Sequence, residues 1–240
     1  MKNWTKFIAL SMFVVALGLT SCSDDGSPQQ YYPVIATCKT DQATKHAYLQ
    51  VTSTKTFYPE NVSDQLFGGK ELRAYCYLKL DPKKQTPGFD YTGTIAAIDS
   101  IRTKDVLKKT AGFDPERYGN DPIDIVSDWM SVAEDGYLTL RLRSLWNMAP
   151  IHYVNLIWDQ EKPTVFELRH DACGDIQGVL RDGLIAFRLP QLPTGTKAIT
   201  VAYKSFNGPT AYMTFPLNPD DDKMSSFTTY VTMGKLGDLK

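Results

Sequence analysis

From residue 32 onward the chain is written in short runs that alternate from one residue to the next, and the i, i+3, i+4 spacing of an amphipathic helix is nearly absent. The run LRAYCYLKL, residues 72–80, shows the pattern plainly. Leu72, Ala74, Cys76 and Leu78 fall on one face of an extended chain, and Arg73, Tyr75, Tyr77 and Lys79 on the other. This predicts a half-buried strand with an aromatic, basic outer side. Runs 32–39, 47–54 and 92–101 are also rich in β-branched and aromatic residues and end in polar or Gly/Pro turns. A fifth strand is available in 56–61, or by bending the long run 92–107.

The segment KKTAGFDPERYGNDPID, residues 108–124, interrupts all periodicity with prolines, glycines and charges, and places a domain boundary near residue 112. Beyond it, apolar runs recur at 123–130, 137–146, 151–158, 164–170, 183–189, 198–203 and 210–215. Asp135-Gly136, Asp182-Gly183 and Asn207-Gly208 supply turns beside them. The expected fold class is therefore all-β, with an immunoglobulin-like antiparallel β-sandwich over residues 113–240.

The chain opens with an export signal. Lys2 and Lys6 precede an apolar stretch over 7–19, which is shorter than the roughly 20 residues a bilayer span requires. Leu19-Thr20-Ser21-Cys22 resembles a bacterial lipobox, so residues 1–21 are expected to be removed and Cys22 to carry acyl chains. Several chains hold a protein on a membrane far more firmly than one. Ser23, in place of an aspartate, favours the outer membrane, and Asp24 with Asp25 resembles the surface-export signal of Bacteroides-type lipoproteins. Residues 22–31 read as a tether. Without 1–21 the chain holds 24 basic and 27 acidic residues, a balance that gives no basic face for nucleic acid. Cys38, Cys76 and Cys173 match no zinc or redox spacing; Cys38 with Cys76 is one disulfide pairing, and buried free thiols are the equal alternative.

Catalytic signals are weak. RHDACGD gathers His170, Asp171, Cys173 and Asp175, which could suggest a metal or nucleophile, yet His46 and His152 lie on distant segments and the aspartates suit a turn after a strand. His152 shares a strand face with Val154, Leu156 and Trp158 and is expected to be a hydrogen-bonded sheet residue. No G-x-S-x-G elbow or phosphate loop is present. The aromatic candidates for a ligand face are Phe57, Tyr58, Tyr75 and Tyr77, with packing against a neighbouring domain as the competing role. Asp99-Ser100-Ile101 resembles an O-glycosylation site at Ser100.

YPVIATC, AYLQVTSTKTFYPEN and GKELRAYCYLKL, followed by YGNDPIDIVSDWM, IHYVNLIW, FELRHDACGD and GLIAFRLPQL, together resemble the NigD-like lipoproteins of Bacteroides-type bacteria. The resemblance implies an OB-type barrel over residues 32–112 ahead of the sandwich. It also implies no established enzymatic activity; no cofactor is expected, and the RHDACGD reading as a turn leaves no metal site expected either. The expected function is a non-enzymatic outer-membrane, surface-exposed lipoprotein that contacts a toxin or envelope protein, in bacteriocin immunity or envelope protection. The alternative is a carbohydrate-binding lipoprotein that assists polysaccharide capture, with a hydrolase a distant third.

Overall fold

The computed structural model describes residues 30–62, 64–147, 151–219 and 237–238; the export signal, Cys22, Asp24 and Asp25 lie outside them. The described chain is built of strands and short 3-10 turns.

Five strands form the first unit: β1 (Tyr32–Thr40), β2 (Ala47–Gln50), β3 (Thr56–Pro59), β4 (Leu72–Leu80) and β5 (Tyr91–Ser100). They close into a barrel in the order β1-β2-β3-β5-β4, with β3 and β5 parallel and the other pairs antiparallel. This is an OB-type barrel, and 56–61 supplies its fifth strand. Inward residues from each strand fill it, among them Val34, Leu49, Phe57, Cys76 and Leu78. Closure depends on Gly93, where a Cβ would meet the Lys79 carbonyl oxygen at 2.0 Å. A register shift opposite Tyr77 and Leu78 bends β5 further around the barrel.

The expected boundary near residue 112 differs from where the strands change partners, which is Ile101. Directly after it, β6 (Arg102–Asp105) pairs with β13 (Val179–Arg188), and β7 (Leu107–Lys108) pairs with β11 (Tyr153–Trp158). The long run 92–107 thus serves both units, which is why it looked continuous. One sheet joins β13, β6 and β10 (Tyr137–Trp146) with β8 (Asp124–Ile125), β9 (Val132–Glu134) and β16 (Gly237–Asp238). The other has the order β15-β14-β12-β11-β7, with β12 (Val165–Asp171), β14 (Ala198–Lys204) and β15 (Thr210–Pro216). The two sheets enclose Leu138, Leu140, Leu142, Leu156, Phe166 and Phe187. Pairing is not wholly antiparallel: β6 with β13, β7 with β11, and β12 with β14 run parallel.

The first part of β10, Tyr137 to Leu140, is buried on both faces because the barrel covers its second side. Ile35 and Ile101 pack there against Met130, Leu184 and Ala186, flanked by Tyr75 and Trp129. Alternation placed Arg73 on an exposed basic face, but its side chain is 0% exposed at this junction. Its guanidinium donates to Glu134 Oε1 at 2.6 Å, Thr37 Oγ1 at 3.0 Å and Thr139 Oγ1 at 3.2 Å. Lys39 pairs with Asp135 at 2.9 Å, and the Tyr137 hydroxyl donates to Glu71 at 2.8 Å. One buried ion pair and its rim therefore join barrel to sandwich.

Candidate functional site

The four aromatic residues singled out from sequence do not share a surface. Strand alternation sends Phe57 and Tyr58 to opposite sides of β3, and Phe57 is 0% exposed in the barrel core. Tyr75 and Tyr77 lie on β4, where the Tyr75 ring stands 6.1 Å from Trp129 and its hydroxyl donates to that of Tyr77 at 3.1 Å. Burial raises the Tyr75 pKa, consistent with packing against the sandwich rather than an open ligand face.

Tyr58 belongs to a different constellation. His46, at the end of the β1–β2 loop, stacks on Tyr58 with centroids 4.6 Å apart and planes 10° apart. Phe89, in the β4–β5 loop, stands 5.2 Å from Tyr58 and 5.7 Å from Tyr48 of β2. These are the elements through which OB barrels bind ligands: the face of strands two and three and the two loops beside it. The rings Tyr48, Phe89, Tyr58 and His46 form one continuous surface, and its rim carries Lys45, Lys55 and Asp90.

Both loops are held by local chemistry. Asp41 Oδ1 accepts from the Thr44 amide at 2.7 Å, the Thr44 hydroxyl at 2.8 Å and the Ala43 amide at 3.0 Å. The Thr44 bonds in particular hold the Asp41 carboxyl below its ordinary pKa. Lys45 then takes φ 61° and turns the chain so that His46 meets Tyr58. On the other side Asp90 accepts from the Thr56 amide at 2.9 Å and pairs with Lys55 at 3.1 Å. Partial burial pushes Asp90 up, but the bonds from Thr56 and Lys55 outweigh it and leave the carboxyl lowered. Phe89 is thereby fixed beside Tyr58. The imidazole Nε2 of His46 is buried and without a hydrogen-bond partner.

His46, Tyr48 and Phe89 were missed from sequence. Tyr48 had a legible signal, because it shares outward parity with Tyr58 on a neighbouring strand. Phe89 sits in a loop whose path only the closed barrel fixes.

The RHDACGD segment also resolves differently from a loop cluster. His170 and His152, on separate segments, meet with Nε2 to Nδ1 at 2.9 Å. His170 Nδ1 donates to the Pro122 carbonyl at 3.2 Å, so its Nε2 accepts from His152. Ser144 Oγ lies 3.4 Å from His152 Nδ1, and Asp175 lies 3.5 Å from Nε2. Asp175 also accepts from the Asn147 amide at 3.0 Å. The Trp146 ring stacks on His152 at 4.1 Å and seals the group, since His152 is 0% exposed. Burial, with His152 beside it, lowers the His170 pKa. Serine, histidine and aspartate are present, but no substrate reaches them here; the group ties β10, β12 and the following loop together. Cys173 is exposed, with φ 51°, outside that group. No group of three His, Cys, Asp or Glu side chains suited to a metal occurs among the described residues. Cys38 and Cys76 are free thiols: Cys76 sits opposite Val34, four residues along β1 from Cys38, beyond disulfide reach. Ser100 is exposed at the end of β5.

Residues 105–217 match the NigD-like C-terminal beta sandwich domain. No curated protein is similar enough to count as a relative. Solved structures share the fold. A protein of Parabacteroides distasonis named as toxin-related is 23% identical, with TM-score 0.62 over 84% of this chain and 100% of its own. A protein of unknown function from Bacteroides vulgatus is 18% identical, with TM-score 0.64 over 81% and 93%. A NigD-like immunity protein from Bacteroides caccae is 19% identical, with TM-score 0.53 over 78% and 97%. Residues 105–217 therefore carry the NigD-like C-terminal β-sandwich domain.

Proposed function

We propose that this chain is a lipid-anchored outer-membrane protein, displayed at the cell surface, that works by occupying a protein partner in bacteriocin immunity or envelope protection. The observation that carries this reading is the continuous aromatic face of His46, Tyr58, Phe89 and Tyr48 on the binding side of an OB barrel. Aromatic residues held rigid by packing lose little freedom on binding and are enriched among residues that dominate protein contacts. Proteins of the same fold named as toxin-related and as an immunity protein support a toxin as that partner. Acyl chains on Cys22 would tie the barrel to the membrane, with Asp24 and Asp25 directing it outward.

The test is protection of cells lacking the gene against a toxin encoded beside it, after complementation with wild type, Cys22→Ala or Tyr58→Ala/Phe89→Ala at matched protein levels. Wild type should protect, while the other two should not. Full protection by the double variant would refute the aromatic face, and full protection by Cys22→Ala would refute anchoring. Ser100 is the proposed O-glycosylation site, and an intact mass of native protein equal to that of the unmodified lipoprotein would refute it.

A further inference from the structure

The outer face of the sheet β15-β14-β12-β11-β7 carries a second surface with chemistry unlike that of the barrel. Register places Ile157, Glu167, Ala202 and Tyr212 side by side across four strands. Alternation turns this row away from the sandwich core, into which their neighbours Phe166 and Val201 point. Ala202 is the smallest member, so the sheet dips between Glu167 and Tyr212, whose backbones stand two strand spacings, about 10 Å, apart. The dip belongs to a groove of about 540 Å³, and ligand sites commonly occupy about 300–1,000 Å³.

Tyr212 is 68% exposed and has no ring or hydrogen-bond partner among the described residues. Across the dip, Glu167 is held by Arg169, whose Nε lies 2.6 Å from its carboxylate. Lys109 is bound to Asp159 at 3.0 Å at one end of the groove. Lys162 and Lys204 also line it and have no ion-pair partner among the described residues. The surface therefore offers a flat apolar ring, fixed acceptors and free donors within one open trough.

We infer that this groove binds a glycan chain. One pyranose lays its C–H face on Tyr212 above Ala202 and donates a hydroxyl to Glu167, and further sugars of the same chain meet Asp159, Lys162 or Lys204 along the groove. The exposed ring and the free charges together decide against the other occupants. Both carboxylates are already paired, so a polyanion could meet the two free ammonium groups but would leave the exposed Tyr212 ring uncovered, and an apolar peptide would desolvate those ammonium groups without pairing them. A polyhydroxylated ring satisfies both signs. The row crosses four strands, a span that suits a polymer rather than a single sugar.

The test is affinity gel electrophoresis of the whole mature chain through gels containing α-mannan, arabinogalactan or polygalacturonic acid. Variants are Tyr212→Ala, Ala202→Leu, Lys162→Glu/Lys204→Glu and, as a control for the barrel face, Tyr58→Ala/Phe89→Ala. At least one polysaccharide should retard the wild type, and both Tyr212→Ala and Ala202→Leu should weaken that binding at least tenfold. The barrel variant should bind like wild type, so failure of the protein-partner reading would leave this result standing. No retardation in any gel overturns the inference. So does retardation that survives Tyr212→Ala, including retardation by polygalacturonic acid alone that only the lysine variant abolishes.

Discussion

Replacing Arg73 with methionine keeps a long apolar stem at the junction of barrel and sandwich and removes only the guanidinium. Glu134, 0% exposed, then loses the cation 2.6 Å away. Thr37 and Thr139 lose the donors that reach them at 3.0 and 3.2 Å. Removing one partner of a buried ion pair costs about 3–5 kcal/mol, because the remaining charge stays desolvated. Against a typical total of about 5–15 kcal/mol this is a large fraction. With about 2–4 °C lost per kcal/mol in a chain of this size, melting should fall by on the order of 10 °C. Calorimetry of Arg73→Met measures it. The double variant Arg73→Met/Glu134→Leu should recover much of the loss, since apolar residues in place of both ions remove the buried charge. A single variant within about 1 kcal/mol of wild type, or a double variant less stable than the single, would refute the view that this pair holds the junction.

Three further outcomes follow from the geometry. Burial pushes the Cys38 thiol up to about 12 and Cys76 well above its ordinary value; at pH 8 an aromatic disulfide reagent should therefore label only Cys173 rapidly among Cys38, Cys76 and Cys173 in the folded chain, and fast labelling of Cys38 or Cys76 would contradict the buried barrel cysteines. Gly93→Ala forces a methyl against the Lys79 carbonyl, 2.0 Å from its ideal position, so melting should fall with a cost of about 1–3 kcal/mol, and an unchanged transition would show that the strands need not approach so closely. Burial lowers the His170 pKa from 6.5. Its contribution to stability is full above the unfolded value and is lost as pH falls through the lowered native value, because the unfolded chain takes up the proton first. Denaturant titrations between about pH 7.5 and 5 should fall less steeply for His170→Asn than for wild type, the unfolded histidine titrating near 6.5, and equal slopes would remove His170 as the cause.

Much of the architecture was written locally. Alternation in 72–80 gave β4 its faces, Asp135-Gly136 and Asn207-Gly208 marked strand ends, and the broken segment 108–124 announced two units, because side-chain parity and turn chemistry need only near neighbours in sequence. Asp182-Gly183, expected as a turn, instead lies inside β13, paired with Arg143 and Leu142. Alternation can say which residues share a face, but not what covers it. Arg73 looked solvent-facing until the sandwich closed over it, and Tyr75 looked like a ligand platform until Trp129 filled its side. The change of partners at Ile101 was equally hidden: 92–107 reads as one strand, and only the competition between barrel closure and pairing with β13 divides it. Long-range placement also brought His152 to His170, set Phe89 beside Tyr58, and left Tyr212 standing over Ala202. The sequence by itself determined strand, face and order; the tertiary structure decided which faces meet, because burial depends on neighbours brought from far along the chain.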